Sequence, residues 1–157
     1  MKISFKSKFV YNLIINIPVC FFLCITAALR ASLEIDRINF AINYAVSFVI
    51  SMLIGLFIPL VRIGKWFTKL FKVDNETYKG NIKYRLLSTL IISFIYFIIL
   101  NPTLTILNYF IIADSTIYEC FINWLINIPL MFCVGFFSSL ISDLPAYKIA
   151  HKIDENF

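Results

Sequence analysis

The chain has 157 residues, of which 61% are hydrophobic and 15% charged, and a formal net charge of +5. Soluble domains are about 45–50% apolar, so this composition, together with apolar runs long enough to span a bilayer, excludes an ordinary soluble domain. The positive charge does not indicate nucleic-acid binding, because most of it falls in segments that membrane topology places on one face.

The first apolar run covers residues 9–29 and follows a group of lysines. A bilayer-spanning helix needs roughly 20 apolar residues, whereas the apolar region of a secretory signal peptide has about 7–15. Asn12, Asn16 and Pro18 also interrupt the run. We therefore predict a retained spanning helix, kinked at Pro18 because proline removes a backbone donor and clashes with the preceding turn.

The second apolar run, 40–61, leads directly into a basic amphipathic segment, 62–72. The apolar side chains of that segment recur at helical spacing: Ile63, Trp66, Phe67, Leu70 and Phe71. Its basic side chains lie on the opposite side: Arg62, Lys65, Lys69 and Lys72. The pattern predicts an interfacial helix with Trp66 at headgroup level and its cations on anionic lipid, at about 1 kcal/mol for each near-surface charge. A simple anchor for the second span and a partner-helix site are the alternatives.

A polar segment, 73–83, is predicted to link the two halves of the chain. The third and fourth apolar runs follow at 86–108 and 120–141, and Pro102 and Pro129 are predicted to kink them. The step before Pro102 is the expected place for a helix break near mid-membrane.

The C-terminal tail, 142–157, repeats the amphipathic arrangement in a weaker form. Asp143 is a suitable cap for a helix that begins near Pro145. The apolar stripe of this predicted helix consists of Ala146, Ile149, Ala150 and Ile153.

The four apolar runs contain no Asp, Glu, Lys, Arg or His. They are continuous rather than alternating, so they predict helices and exclude β-barrel strands. Basic residues are concentrated before the first run, between the second and third, and after the fourth. The positive-inside rule therefore predicts that both termini lie in the cytoplasm.

The second half of the chain aligns with the first. When Asn43-Tyr44 is set beside Asn123-Trp124, Gly55 meets Gly135 without a gap. Each half holds two spans, so both halves enter the membrane in the same sense. We therefore predict parallel repeats, in contrast to the inverted repeats that form many transporter cores.

The predicted fold is an all-α integral membrane protein with four transmembrane helices, arranged as two parallel-repeat helical hairpins. The first hairpin covers 1–72 and the second 84–157. A short amphipathic interfacial helix follows the second transmembrane helix, and a weaker one follows the fourth.

Each hairpin resembles the short two-helix bacterial membrane module called domain of unknown function 2798, in its length and in the Asn-plus-aromatic start of its second helix. The resemblance extends to an exit through Gly55 and Pro59 into a basic amphipathic tail, and it covers 11–71 and 84–153. The second hairpin departs from the pattern, with Ser139 in the place of Pro59. The resemblance implies a bacterial inner-membrane protein and no established activity.

Six asparagines fall within the predicted spans: Asn12, Asn16, Asn43, Asn101, Asn123 and Asn127. An amide in hydrocarbon needs a partner, and interhelical hydrogen bonds average about 0.6 kcal/mol. These residues are therefore predicted either to join helices or to line a polar cavity. Asn12 and Asn16 are one helical turn apart, as are Asn123 and Asn127. If the asparagines line a cavity, we predict that the two pairs line the same interior.

The residues give no support to an enzyme, a metal site or a cofactor. Cys20 and Cys24 are one turn apart, but buried cysteine packs as a small apolar residue, and a disulfide framework needs exposed cysteines. The lack of ionisable residues within the spans disfavours proton-coupled transport. The single histidine, His151, lies in the tail.

The favoured function is that of a multi-pass bacterial inner-membrane protein with a structural, accessory or assembly role. One alternative is a small oligomeric transporter or channel-like unit for a neutral or amphipathic solute. Another is an anionic-lipid-binding membrane protein. The expected partners are anionic lipid headgroups and either further copies of the chain or a larger membrane protein, with no nucleic acid.

Overall fold

The computed structural model describes residues 4–30, 37–73 and 82–154, and all regular secondary structure within these ranges is helical. The elements are α1 (Phe5–Arg30), α2 (Arg37–Phe57), α3 (Leu60–Leu70), α4 (Ile82–Thr105), a π-helical segment (Ile106–Ile112) that continues α4, and α5 (Ile117–Ile153). Most of the predicted linker, at 74–81, lies outside the described residues.

Four helices are long and apolar enough to cross a membrane: α1, α2, α4 with its π-helical segment, and α5. Large apolar side chains such as Phe57, Ile117 and Ile141 point outward. Buried positions include many serines and asparagines. This reversal of the soluble pattern suits a bilayer, where polar groups must find partners inside the protein. The all-α class is confirmed for the described residues, as is the prediction of four helices that could span a membrane by their length and composition.

Helix α1 packs mainly against α5 and α2, while α4 packs mainly against α5 and α3. The apolar core between them contains Leu23, Leu100, Leu104 and Met131, all nearly inaccessible. Two antiparallel pairs, α1–α2 and α4–α5, thus form one bundle. Lys8, Arg62 and Arg85 lie towards one end, which we call the basic end; Arg30 and Thr116 lie towards the other, which we call the far end.

The second span ends earlier than predicted. Helix α2 stops at Phe57 and α3 starts at Leu60, whereas the sequence placed the boundary between 61 and 62. Pro59 has φ −77° and ψ 62°, outside the helical region. Proline also disfavours helical geometry in the residue before it. The predicted amphipathic helix is therefore present, but it begins at the proline.

The predicted break at Pro102 is absent, because α4 runs through this residue to Thr105. Thr103 and Thr105 donate side-chain hydrogen bonds of 2.8 Å to carbonyls one turn earlier. Helices α1 and α5 likewise continue through Pro18 and Pro129, and kinks at the three prolines stay predictions. The π-helical segment extends to Ile112. Residues 109–112, at the start of the predicted connection 109–119, are therefore helical.

Asp143 does not cap a separate tail helix, and that prediction is wrong. Helix α5 has 37 residues and passes through both Asp143 and Pro145 without interruption. Proline at this position costs one backbone hydrogen bond, but Ala146 and Ala150 are completely buried. Packing of the continuous helix therefore outweighs the lost bond.

The internal repeat stays a prediction. At the aligned positions, an added Cβ on Gly55 would lie 2.2 Å from Asn12 Oδ1, whereas on Gly135 it would meet Leu23 at an ordinary 3.7 Å. Asn43 is buried, while Asn123 is half-buried. Matched residues of the two hairpins thus occupy different surroundings.

Candidate functional site

A cavity of about 680 Å³ opens at the basic end of the bundle. Its walls come from α1, the bend between α2 and α3, α4 and α5. The lining is Lys8, Tyr11, Asn12, Ile15, Gly55, Ile58, Pro59, Leu60, Val61, Arg62, Lys65, Thr89, Ile92, Tyr96, Ser139 and Asp143. Because α3 packs against α4 and has at most marginal contact with α1, the cavity faces outward between α1 and α3.

Three cations surround the mouth of the cavity. Lys8 is on α1, and Arg62 and Lys65 are on the first turns of α3. Arg62 and Lys65 are exposed and Lys8 is half-buried. Within the described ranges none of the three forms an ion pair. Their positive charge is therefore uncompensated by the protein around them.

A buried carboxylate lies in the wall of the same cavity. Asp143 is 3% exposed and accepts a hydrogen bond of 2.6 Å from the Tyr11 hydroxyl. Its other oxygen is 3.4 Å from Arg85 Nε. Because Arg85 balances this carboxylate, the cavity keeps a net positive charge. Asp143 was missed as a site residue because the sequence pattern placed it at a helix start.

The floor of the cavity is a packed polar contact between three helices. Asn12 Nδ2 donates to the Lys8 carbonyl oxygen at 2.9 Å, and the Tyr96 hydroxyl is 3.5 Å from Asn12 Oδ1. Gly55 lies against both Asn12 and Tyr96, where no side chain would fit. Beyond Tyr96, a further void between α1, α4 and α5 holds only about 10 Å³. The cavity therefore opens at the basic end and does not continue through the bundle as a channel.

The predicted asparagine pairs do not line one interior. Asn12 lies at the basic end, whereas Asn127 accepts a hydrogen bond of 2.8 Å from Arg30 Nε at the far end. Residues 12 and 30 of α1 are separated by about 27 Å at the helical rise per residue. Asn127 Nδ2 is also 3.4 Å from the Tyr109 hydroxyl.

The remaining asparagines are placed along the bundle. Asn43 donates to Asn108 Oδ1 at 2.9 Å, and Asn108 was not among the predicted site residues. Asn16 and Asn101 are buried, with amide atoms that have no hydrogen-bond partner among the described residues. Asn12 thus lines the cavity and also contacts another helix, whereas Asn43 and Asn127 form only interhelical contacts among the described residues.

Small polar side chains join α1 to α2. The Cys20 sulfur is 3.2 Å from Ser51 Oγ, and the Cys24 sulfur is 3.7 Å from Ser47 Oγ. Both cysteines are completely buried, and all four cysteines are free. The described ranges contain no group of three residues able to hold a metal ion.

The amphipathic helix has two distinct basic sets. Arg62 and Lys65 line the cavity, whereas Lys69 and Lys72 are exposed outside it. Trp66 is also exposed and is not part of the cavity wall. Contact of these residues with anionic lipid stays a prediction.

At the far end, an apolar groove of about 450 Å³ runs between α4 with its π-helical segment and α5. Its lining is Pro102, Thr105, Ile106, Phe110, Ile117, Cys120, Phe121 and Trp124. This groove is almost devoid of polar surface, so the basic cavity is the better candidate for specific recognition.

No family model matches the chain, and neither a curated protein nor a solved structure is similar enough to match it. The resemblance of each hairpin to the two-helix bacterial module stays a prediction. The cavity at the basic end is therefore the feature from which a function is inferred.

Proposed function

We propose that this protein binds an anionic amphiphile, with the membrane phospholipids as the source, in the cavity at its basic end. The observation that carries the proposal is a set of three cations, Lys8, Arg62 and Lys65, which line a 680 Å³ cavity and form no ion pair with any described residue. Unpaired cations that converge on a cavity favour a phosphate or another anion.

The position of the cavity favours a ligand with acyl chains. Residues of both α1 and α3 line the cavity, and Phe9 on α1 and Trp66 on α3 are exposed and apolar. A headgroup seated on the cations would leave its chains free to enter the surrounding hydrocarbon. If the basic end is cytoplasmic, as the charge pattern predicts, the cavity faces the leaflet that carries a negative surface potential.

The two other sequence-based functions receive different support. A structural or accessory role is compatible with a firmly held lipid, and no separate contact argues for it. Transport of a solute across the bundle has less support, because the interior beyond Tyr96 contains a void of only about 10 Å³. Lipid binding is therefore the proposed function.

The proposal is tested with the full chain in nanodiscs of phosphatidylcholine doped with an anionic phospholipid, and the retained lipid is measured by native mass spectrometry. Arg62→Gln with Lys65→Gln removes two charges at the cavity. At about 1 kcal/mol for each lost headgroup hydrogen bond, we expect binding to weaken roughly 30-fold.

Lys69→Gln with Lys72→Gln is the matched control, because it removes the same charge outside the cavity, from the last turn of α3 and the residues just after it. We expect this control to change lipid retention less than threefold. Equal losses in the two double variants would show attraction to the helix surface in general and would contradict a cavity site.

A further inference from the structure

Two hydroxyl groups in the cavity wall have no hydrogen-bond partner among the described residues. Thr89 on α4 and Ser139 on α5 are each only 7% exposed, and both line the cavity. Within the described parts of the chain, neither hydroxyl makes a hydrogen bond, in contrast to Thr103, Thr105 and Ser138. Both hydroxyl oxygens keep some exposure to the cavity, so these two groups are available to a ligand.

The helix geometry places the two hydroxyls next to each other. Thr89 follows Arg85 by one turn of α4, and Ser139 precedes Asp143 by one turn of the antiparallel α5. Because Arg85 and Asp143 are in contact, Thr89 and Ser139 form the next layer, about 6 Å further along the bundle axis. The unpaired cations and the hydroxyl pair are thus successive layers of one cavity.

We infer that the cavity selects a phosphate that carries a polyol, and that this group is the glycerol headgroup of an anionic phospholipid. This inference rests on the proposed lipid binding and specifies its headgroup. The phosphate lies on Lys8, Arg62 and Lys65, and the hydroxyls of the headgroup reach Thr89 and Ser139. Hydroxyl groups suit this layer because each can both donate and accept a hydrogen bond.

An amine headgroup fits less well for two reasons. A choline group cannot donate a hydrogen bond to either hydroxyl. An ethanolamine ammonium would enter beside three cations, and the carboxylate that the described residues place in the cavity wall, Asp143, is already bonded to Arg85 and Tyr11. An uncharged polyol avoids both costs.

The test compares phosphatidylglycerol with phosphatidylethanol, which has the same charge and phosphodiester but no headgroup hydroxyl. Each lipid is titrated into phosphatidylcholine nanodiscs that contain the full chain. Two hydrogen bonds at about 1 kcal/mol each predict a preference of roughly 30-fold for phosphatidylglycerol. Thr89→Val with Ser139→Ala should remove this preference while affinity for phosphatidylethanol stays within twofold, which also shows that the variant is folded.

Thr103→Val is the matched control, since this threonine lies on α4 and its hydroxyl donates to the Ile99 carbonyl of the same helix. It should leave the preference intact. Equal affinity of the unaltered protein for both lipids would overturn the headgroup inference and leave lipid binding standing. Failure of both lipids to bind more tightly than phosphatidylcholine would overturn the proposed function itself.

A soluble polyol phosphate offers the same chemistry, and a competition experiment separates the two sources. We expect glycerol 3-phosphate in the buffer, at a concentration equal to that of the lipid, to displace less than a tenth of bound phosphatidylglycerol. Displacement of half or more would assign the site to the soluble compound and overturn the lipid assignment.

Discussion

At the scale of single residues, Gly55 determines the shape of the cavity floor. A Cβ at this position would lie 2.2 Å from Asn12 Oδ1 and 2.8 Å from the Tyr96 hydroxyl. Asn12 cannot turn aside freely, because its amide donates to the Lys8 carbonyl and the residue is buried. The close approach of α2 to α1 therefore requires glycine here.

We expect Gly55→Ala to destabilise the protein by about 1–2 kcal/mol. Alanine favours a helix over glycine by about 1 kcal/mol, but overpacking of a tight contact costs about 1–3 kcal/mol and also breaks the contact between Asn12 and Tyr96. Stability is measured by denaturant-induced unfolding in detergent micelles. Gly135→Ala is the control, since its Cβ would meet only Leu23 at 3.7 Å, and it should be neutral or stabilising. Equal effects of the two changes would contradict the packing at Gly55.

The burial of amides was predictable from the sequence, but their partners were not. An asparagine within an apolar run avoids lipid, and five of the six predicted residues are indeed buried. Asp143 could not be placed in the same way. Its partners Arg85 and Tyr11 are 58 and 132 residues away in the chain, and only the packing of α1 and α4 on α5 brings them together.

At the scale of elements, α3 differs most from its sequence-based description. Its helical period is clear, and Trp66 and Leu70 are exposed on its apolar side as the pattern indicates. Leu60, Gly64 and Thr68, spaced one turn apart, are instead buried against the rest of the bundle. The amphipathic pattern does not reveal this narrow buried face, because glycine and threonine contribute little apolar character to it.

We expect α3 to be fixed to α4 and not to move freely on the bilayer surface. A Cβ on Gly64 would lie 3.4 Å from the Ser88 Cβ, close to the range of about 3.5–4.5 Å found in disulfides. In a variant with Cys120 and Cys133 replaced by Ala, Gly64→Cys with Ser88→Cys should cross-link almost completely under mild oxidation.

The cross-link is detected as a shift in mobility on a non-reducing gel after proteolysis between the helices. Lys69→Cys with Ser88→Cys places the first thiol on the exposed side of α3 and should cross-link less than a tenth as much. Similar yields from both pairs would indicate that α3 is mobile on the membrane surface and would contradict its role as a fixed cavity wall.

At the scale of the whole molecule, composition and run length were sufficient to predict a bundle of four apolar helices. They could not predict the cavity, which depends on where α2 bends and on the gap between α1 and α3. The charge pattern adds an orientation that the bundle does not by itself determine. This orientation decides which leaflet supplies a ligand to the basic cavity.

We expect the connection between α3 and α4 to lie in the cytoplasm and the connection between the π-helical segment and α5 to lie outside it. The reason is the excess of lysine and arginine on the first of these faces. Reporters fused after Asn75 and after Ser115 check this: an alkaline phosphatase should be inactive at the first site and active at the second, and a fluorescent protein that folds only in the cytoplasm should give the opposite pattern.

Reversed activities would place the cavity at the external leaflet, where the attraction of cytoplasmic anionic lipid no longer applies. The preference for phosphatidylglycerol over phosphatidylethanol compares two lipids of equal charge, so it should persist at high salt in either orientation, whereas a contribution of surface potential to anionic-lipid binding should fall as the screening length shortens.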